Sequence, residues 1–580
     1  MAGTMGRMYI GTSGLQANQY ALNTTAHNLA NINTSGYSRQ QVLLSDAHYQ
    51  KVNISQVGNN QIGTGTRYAA SRQTRDDLLD RQYRKETGRL SYYQTMFNNI
   101  YEVQDYFGEL EGSTFQDCMK DIWTAFEELS KDTNNVVNRS TLVAYAGNFI
   151  SKAEDIYASL VTYQENLNTE IDEQVTKINK LAQTIYDLNK EIVKVEGADI
   201  EKANDYKDRR NAALDELSAL IDVSIHENSD HSIDVFVENR TLLTSSSIFR
   251  METVPVSSGS RFLKPVWADD QSDVIDRTKI PSGVTKTDIG SLKGLLMSRG
   301  YDVPNYTDIP DASDAKKVEV YNSDVEPYSI TNIIAQFDRL IHGMVTAIND
   351  VLCPNVTITD DAGNTYQVLD TLYTGLTEEE AKNLGFNLKA GVGMGQGNQY
   401  AGTELFVRGS EDRYREETIT VNGVAVKMKV YNAEDAADDN TLYALGNLKI
   451  NDELVQNPSL MPVSTMDGGE YQDVIFDLID LWNQKFTKLS PNTLVDETFS
   501  SYYTAMINDF SGKAYTYNSI SESSEQAVKQ YEQSRQQQLG VSSEEELTNL
   551  IKFQQAYNAS SRYITVVSDM IEHIIERLGS

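Results

Sequence analysis

Apolar residues mark both ends of the chain at one interval. Met8, Leu15, Leu22 and Leu29 recur every seven residues, with Ile32 three further on. Near the other end Leu550, Tyr557, Ile564, Ile571 and Leu578 do the same, with Phe553, Val567 and Ile574 at the offset and polar Ser560 as the gap. Each set draws one narrow stripe along a helix, and two such stripes at opposite ends predict that the termini pair as an a/d seam. The first helix is expected to stop near Asn33-Thr34-Ser35-Gly36, where turn-forming residues precede a glycine free to take positive φ. A third periodic run, Tyr157, Gln164, Ile171, Ile178, Ile185 and Ile192, flanked by Leu160, Leu167, Gln174, Leu181, Leu188 and Val195, predicts a helical rod of roughly 60 Å. Rods need partners, and the segments around Leu90, from Ile333 to Val351 and from Tyr502 to Gln538 have the spacing to supply them.

Between these helices the period changes to two. Gln41-Val42-Leu43-Leu44 alternates within an extended connector from Ser38 to Arg67, and Ser232 to Val237 followed by Asn239-Arg240 and Thr241-Leu242-Leu243 reads as a hairpin. Val356-Thr357-Ile358, Thr418 to Val421 and Val424 to Val430 are further strands, with Asn422-Gly423 as a tight turn. The expectation is a mainly α protein with β insertions, a multidomain α+β chain. It has terminal helices paired as a coiled coil (1–45 and 541–580), a helical bundle (46–224, 290–353 and 496–540) and two mainly β outer lobes (225–289 and 354–495).

Composition narrows the function classes. At 65.0 kDa the chain exceeds one core, and 40% hydrophobic with 9% aromatic residues is enough to pack several. A net charge of −33 argues against nucleic acid, since no group of lysines and arginines could neutralise a run of phosphates. Against that background the ends stand out. Residues 1–45 hold Arg7 and Arg39 but no carboxylate, and Lys552 and Arg562 are the only charges between Leu547 and Ser568, so the terminal faces read as contact surfaces for other subunits. No stretch has the roughly 18 apolar residues of a membrane span, and the start lacks the pattern of a secretory signal, so no membrane insertion is expected. Arg67 to Arg89 interleaves seven basic residues with Asp76, Asp77, Asp80 and Glu86, which reads first as a helix laced with local ion pairs and second as a binding patch.

Candidate chemistry is sparse. His226 and His231 are five apart, which puts them about 140° apart on a helix, whereas a zinc peptidase helix needs four. Gly391, Gly393, Gly395 and Gly397 lack the spacing of a dinucleotide fingerprint, and Asp360-Asp361-Ala362-Gly363-Asn364 lacks the later acids of a calcium loop. Cys118 and Cys353 are expected as separate thiols. Neither a catalytic residue nor a metal or cofactor is expected.

The runs Ser13-Gly14-Leu15-Gln16-Ala17 and Asn28-Leu29-Ala30-Asn31-Ile32-Asn33-Thr34-Ser35-Gly36-Tyr37-Ser38-Arg39-Gln40 resemble the N-terminal signature of the bacterial flagellar axial proteins. Gly540-Val541 with a glutamate cluster and Leu550-Ile551-Lys552-Phe553-Gln554-Gln555-Ala556-Tyr557 resemble the C-terminal end of its hook-associated members, which join hook to filament. Ser542-Ser543 departs from that pattern, yet leaves Glu545 or Glu546 placed to complete a capping box. The resemblance implies a structural, non-enzymatic subunit that leaves the cytoplasm by type III export with an uncleaved signal. It would then polymerise at the extracellular hook-filament junction. It implies an axial interface of Leu15, Leu22, Leu29, Ile32, Leu550, Phe553, Tyr557, Ile564, Val567, Ile571, Ile574 and Leu578, and signature residues Asn28, Asn31, Asn33, Thr34, Gly36, Tyr37 and Arg39. Implied partners are further copies of itself, hook protein, a second junction protein and an export chaperone at the C-terminal helix. Terminal helices weakly ordered before assembly are expected with it. A hook or distal-rod role, or an added binding or enzymatic domain in 354–495, stays open at this point.

Overall fold

The computed structural model describes residues 2–578 except 35, 53–59, 109–113, 198–201, 372, 374–375, 385, 387–394, 396–401 and 466–468. α1 (Ala2–Ala30) leads into a folded-back ribbon of β1 (Gln40–Asp46), β2 (Tyr49–Val52), β3 (Asn60–Gly63) and β4 (Thr66–Gln73), in which β1 pairs with β4 and β2 with β3. The expected extended connector is therefore a hairpin-like arm, and a boundary at 45/46 would cut through its first strand. Helices α2 (Asp77–Phe107), α3 (Phe115–Lys131), α4 (Val136–Glu196) and α5 (Asn204–Leu220) follow. Next come a three-stranded sheet of β5 (Val223–Glu227), β6 (Ile233–Val237) and β7 (Arg240–Leu243), and a hairpin of β8 (Met251–Pro255) and β9 (Leu263–Trp267). α6 (Ser291–Arg299), α7 (Ala315–Asp324) and α8 (Ser329–Leu352) return to the bundle. β10 (Asn355–Thr359), β11 (Thr365–Leu369), α9 (Glu378–Asn383), β12 (Phe406–Arg408), β13 (Tyr414–Val421), β14 (Val424–Tyr431), β15 (Leu448–Ile450), α10 (Asp452–Gln456) and α11 (Gln472–Asp480) precede the two last helices, α12 (Phe499–Leu539) and α13 (Ser543–Leu578).

The rod is longer than its heptads predict. α4 has 61 residues, about 90 Å at the usual helical rise. Its buried stripe runs Ile156, Leu160, Gln164, Leu167, Ile171, Val175, Ile178, Ala182, Ile185, Asn189, Ile192 and Glu196. From residue 175 on, one edge of that stripe sits one residue past the expected Gln174, Leu181, Leu188 and Val195, because two steps of four, Leu167 to Ile171 to Val175, replace the alternation of four and three at that point. α3 and α5 pack along it, and α2 pairs with α12. Phe107, Phe115, Phe337 and Tyr503 meet between the helices, with Phe107 to Phe337 at 5.3 Å and Phe115 to Phe337 at 5.1 Å between ring centroids. α8 is buried along most of its length, with Asn332, Gln336, Asp338 and Asn349 enclosed beside its apolar residues.

The first expected lobe is not separate. Val235, Val237, Leu242, Leu243 and Trp267 belong to the same core as α4 and α8, and Asn179 and Asn189 of α4 bond the backbone of β8 and β6. Its tight turn uses Glu238 and Asn239, both at positive φ, one residue earlier than expected. The second is smaller than expected. A four-stranded sheet in the order β10-β11-β14-β13, with α9, has its own core of Ile358, Val368, Ile419, Val426 and Met428. Past β14, Tyr443, Met461, Ile475 and Leu478 rejoin the main core through short helical pieces, so the segment from about 433 to 495 is bundle rather than β lobe. Asn422 and Gly423 form the expected turn, at φ 51° and 78°.

Candidate assembly interface

α1 and α13 lie antiparallel, in a register that sets Gly11 beside Ile564, Gly14 beside Ser560 and Asn28 beside Glu546. A Cβ on Gly11 would sit 2.7 Å from Ile564 Cγ1, so glycine there permits the close approach. The buried face of α1 is made of small or polar residues, Gly11, Ala17, Ala21, Thr25 and Asn28. Leu15, Leu22 and Leu29 are half-buried on its flanks and Ile32 is exposed. On α13, Val567 is buried, and Leu550, Phe553, Tyr557, Ile564 and Ile571 are half-buried. Ile574 is 43% exposed because the register carries it to the end of α1, and the side chain of Leu578 lies outside the described residues. Tyr20 stacks on Tyr68 of β4 at 4.7 Å, so the ribbon covers another face of α1.

α1 stops at Ala30, a few residues before the expected point, because Asn31 Nδ2 donates to the carbonyl of His27 at 3.0 Å and Thr34 Oγ1 donates to Asn31 Oδ1 at 3.1 Å. Asn33 is exposed. Gly36, at φ 78°, turns the chain back. That turn delivers Tyr37, Ser38 and Arg39 to three separate anchors. Tyr37 donates its hydroxyl to Asn28 Oδ1 at 2.7 Å, and burial together with Asp208 pushes its ionisation well up. Asn28, 1% exposed, also accepts from the Gln40 amide at 3.0 Å, and its Nδ2 donates to the Gln40 carbonyl at 2.9 Å and Glu546 Oε2 at 3.1 Å. Arg39 pairs with Glu546 at 2.8 Å and Glu545 at 2.9 Å, and its amide donates to the Leu539 carbonyl. The glutamates therefore grip the signature loop rather than closing a capping box; only the Glu545 amide reaches Ser542 Oγ, at 3.4 Å.

Ser38 joins this terminal module to the bundle. Its hydroxyl donates to Asp208 Oδ1 at 2.6 Å and its amide to Oδ2 at 3.1 Å, while Gln73 Nε2 donates to the same carboxylate at 2.9 Å. Burial raises the Asp208 carboxyl, and the bonds from Ser38 with the charge of Arg75 pull it back. Arg75 spans Ser38 and Asp80; Arg535 of α12 reaches Asp80 at 2.9 Å and Asp215 at 2.8 Å; Arg84 reaches Asp215 at 2.6 Å. Arg75 just before α2 and Arg84 and Arg89 within it thus reach acids on α5 and at Asp288, and among the described residues the expected local pairing within the helix is limited to Arg89 with Glu86. Asp80, Asp208, Asp215 and Arg535 were not legible as a set, since they lie in three elements scattered over 450 residues of chain; the excess of Arg and Asp in 67–89 was the one signal.

Elsewhere, His226 and His231 sit on a β hairpin, with His231 3.4 Å from Glu227. Asp360 and Asp361 cap turns through Asn364 and Asn422, and the run Gly391 to Gly397 lies outside the described residues except Gly395. Cys118 is partly buried and Cys353 is fully buried, its thiol pushed up to about 12 by desolvation; both are free. No group of three or more metal-ligating side chains occurs among the described residues, and no helix among them is long and apolar enough to cross a membrane.

Three family models match the chain: the flagellar hook-associated protein FlgK helical domain over 100–366, the flagella basal body rod protein over 8–37, and the flagellar basal body rod FlgEFG protein C-terminal over 532–577. Flagellar hook-associated protein 1 of Bacillus subtilis is 24% identical over 97% of this chain and 96% of its own length. The protein of that name from Salmonella typhimurium is 22% identical over 97% and 98%. The flagellar hook junction protein FlgK from Burkholderia pseudomallei has a similar fold, with a TM-score of 0.50 at 13% identity, over 80% of this chain and 100% of that one.

Proposed function

We infer that this chain, which belongs to the flagellar hook-associated protein 1 family, is a structural subunit of the bacterial flagellum at the junction between hook and filament. The observation that carries this reading is the coincidence of two facts. The segments matched by axial-protein models, 8–37 and 532–577, are the two helices that pair, and that pair leaves large apolar side chains outward: Tyr9, Leu547, Ile551, Val566, Met570 and Ile575. In this reading assembly buries that flank among neighbouring copies, with the half-buried leucines of α1 and the α13 residues from Leu550 to Leu578 forming the axial interface. The loop from Asn28 to Arg39 sets the angle between the axial pair and the bundle. Hook protein and a second junction protein are the axial neighbours. An export chaperone covers α13 before type III export to the outside of the cell, where the β10-β11-β14-β13 sheet faces outward. The role is structural and needs neither catalysis nor a cofactor.

The test is electron microscopy of cells lacking the gene, with flagellin assayed in the medium. Complete hooks without filaments, and free flagellin outside, are expected. Absent hooks would move the chain to the rod or hook, and normal filaments would overturn the reading.

A further inference from the structure

A cavity of about 350 Å³ opens where the end of β4, the first turns of α2, α5 and the β5–β6 hairpin meet. Its wall carries seven arginine and lysine side chains against three carboxylates, in a chain of net charge −33. Three of the cations are committed to acids: Arg75 to Asp80, Arg84 to Asp215 and Lys207 to Glu196. Arg72 and Arg81 have no ion pair among the described residues. Arg210 is 4% exposed and meets only neutral oxygens, Asn189 Oδ1 at 2.9 Å and the His231 carbonyl at 2.8 Å, while its Nε–H has no acceptor. Desolvation pushes that guanidinium down to about 10, although the charges of Glu227 and Glu196 oppose the shift, and neither carboxylate bonds it directly. On the acidic side, Asp80 is held by Arg75 and Arg535, Glu227 faces His231, and Asp77 lies in the first turn of α2.

We propose that this cavity binds a small multivalent oxyanion of the phosphate class, gripped by the guanidinium forks of Arg72 and Arg81, with Arg210 supplying positive charge from behind. Planar forks match tetrahedral oxyanions through paired N–H donors, and a concave, partly desolvated wall strengthens each bond. A polyanion such as nucleic acid is disfavoured, because a chain of net charge −33 repels a long charged chain beyond the cavity itself. Gln73 and Arg75 line the same cavity and touch Asp208 and Ser38, so an occupant braces the joint between the terminal module and the bundle. That consequence rests on the junction reading; the site itself does not.

The experiment is calorimetric titration of the full-length soluble chain with inorganic phosphate at constant ionic strength, with circular dichroism to establish that each variant is folded. One saturable site is expected, with the double variant R72Q/R81Q weakening it at least about tenfold and the exposed-arginine control R250Q leaving it unchanged. Phosphate should also raise the thermal midpoint of the parent chain and not of R72Q/R81Q. Absence of binding up to about 20 mM, binding that R72Q/R81Q leaves intact, or an equal loss in R250Q overturns the proposal. Because the free subunit is titrated, the result is independent of whether cells lacking the gene make filaments.

Discussion

In α4 and α8 large apolar residues, chiefly isoleucine and leucine, make up most of the buried face, with polar residues such as Gln164 and Asn349 among them, whereas in α1 it is built of Gly11, Ala17, Ala21, Thr25 and Asn28. The bundle therefore draws its stability from apolar area, and the terminal pair draws little from that source. What holds the pair in place is polar and directional: Asn28 to Glu546, Arg39 to the glutamates, and Ser38 to Asp208. A region held this way has a defined geometry, and in the junction reading its unburied apolar flank is what neighbouring copies cover. On that reading the difference separates what keeps the subunit folded from what makes it assemble.

The largest effect should come from the bundle. Phe337→Ala empties the aromatic centre and should cost about 3–5 kcal/mol in urea unfolding. Leu22→Ala on half-buried α1 should cost about 1 kcal/mol and leave the bundle transition in place. Equal losses would abolish the distinction. Next, Asp208→Ala removes the acceptor of Ser38 and Gln73, at a local cost of about 1–3 kcal/mol. Hydrogen exchange should then quicken in α1 and α13 while α4 stays protected; uniform quickening would mean that the joint is part of the global fold.

A smaller, graded effect concerns pH. Burial pushes the carboxyls of Asp338 and Glu404 up to about 7. Each holds its proton more tightly folded than unfolded, so the stability linked to it is full below the ordinary carboxyl range and is lost as pH rises towards about 7. The thermal midpoint of the bundle should fall between about pH 4 and 7, and Glu404→Gln, which keeps an acceptor for Tyr443, should flatten the fall. A profile unchanged by that substitution would contradict the assignment. Smallest of all, Ile574→Ser should change monomer stability by no more than about 0.5 kcal/mol, because the side chain is already largely in solvent. It should nonetheless reduce filament formation in cells; wild-type filaments would remove Ile574 from the axial surface.

Much of this was legible in advance, for identifiable reasons. The terminal helices, the helical rod and the Asn422-Gly423 turn follow from local periodicity and backbone preference, which act over a few residues, but the leucine stripe of α1 did not mark its buried face, which is Gly11, Ala17, Ala21, Thr25 and Asn28. The expected lobe at 225–289 failed because alternation reports that a strand has one buried face without saying what covers it, and here α4 does. The arginine-rich segment was misjudged for a related reason: charge spacing within a helix says nothing about acids such as Asp208, Asp215 and Asp288 that arrive from elsewhere.

By itself the sequence determined that the ends are helical and matched in period, that residues 1–45 and 547–568 carry no acid, and that a turn with a left-handed residue ends the first of them. Those properties reside in side-chain pattern and φ preference. Only the tertiary structure decided the register that leaves Ile574 at the margin, the closure of Ser38 onto Asp208, and the gathering of uncommitted arginines around one cavity. These depend on segments hundreds of residues apart meeting at distances near 3 Å, which no local pattern encodes.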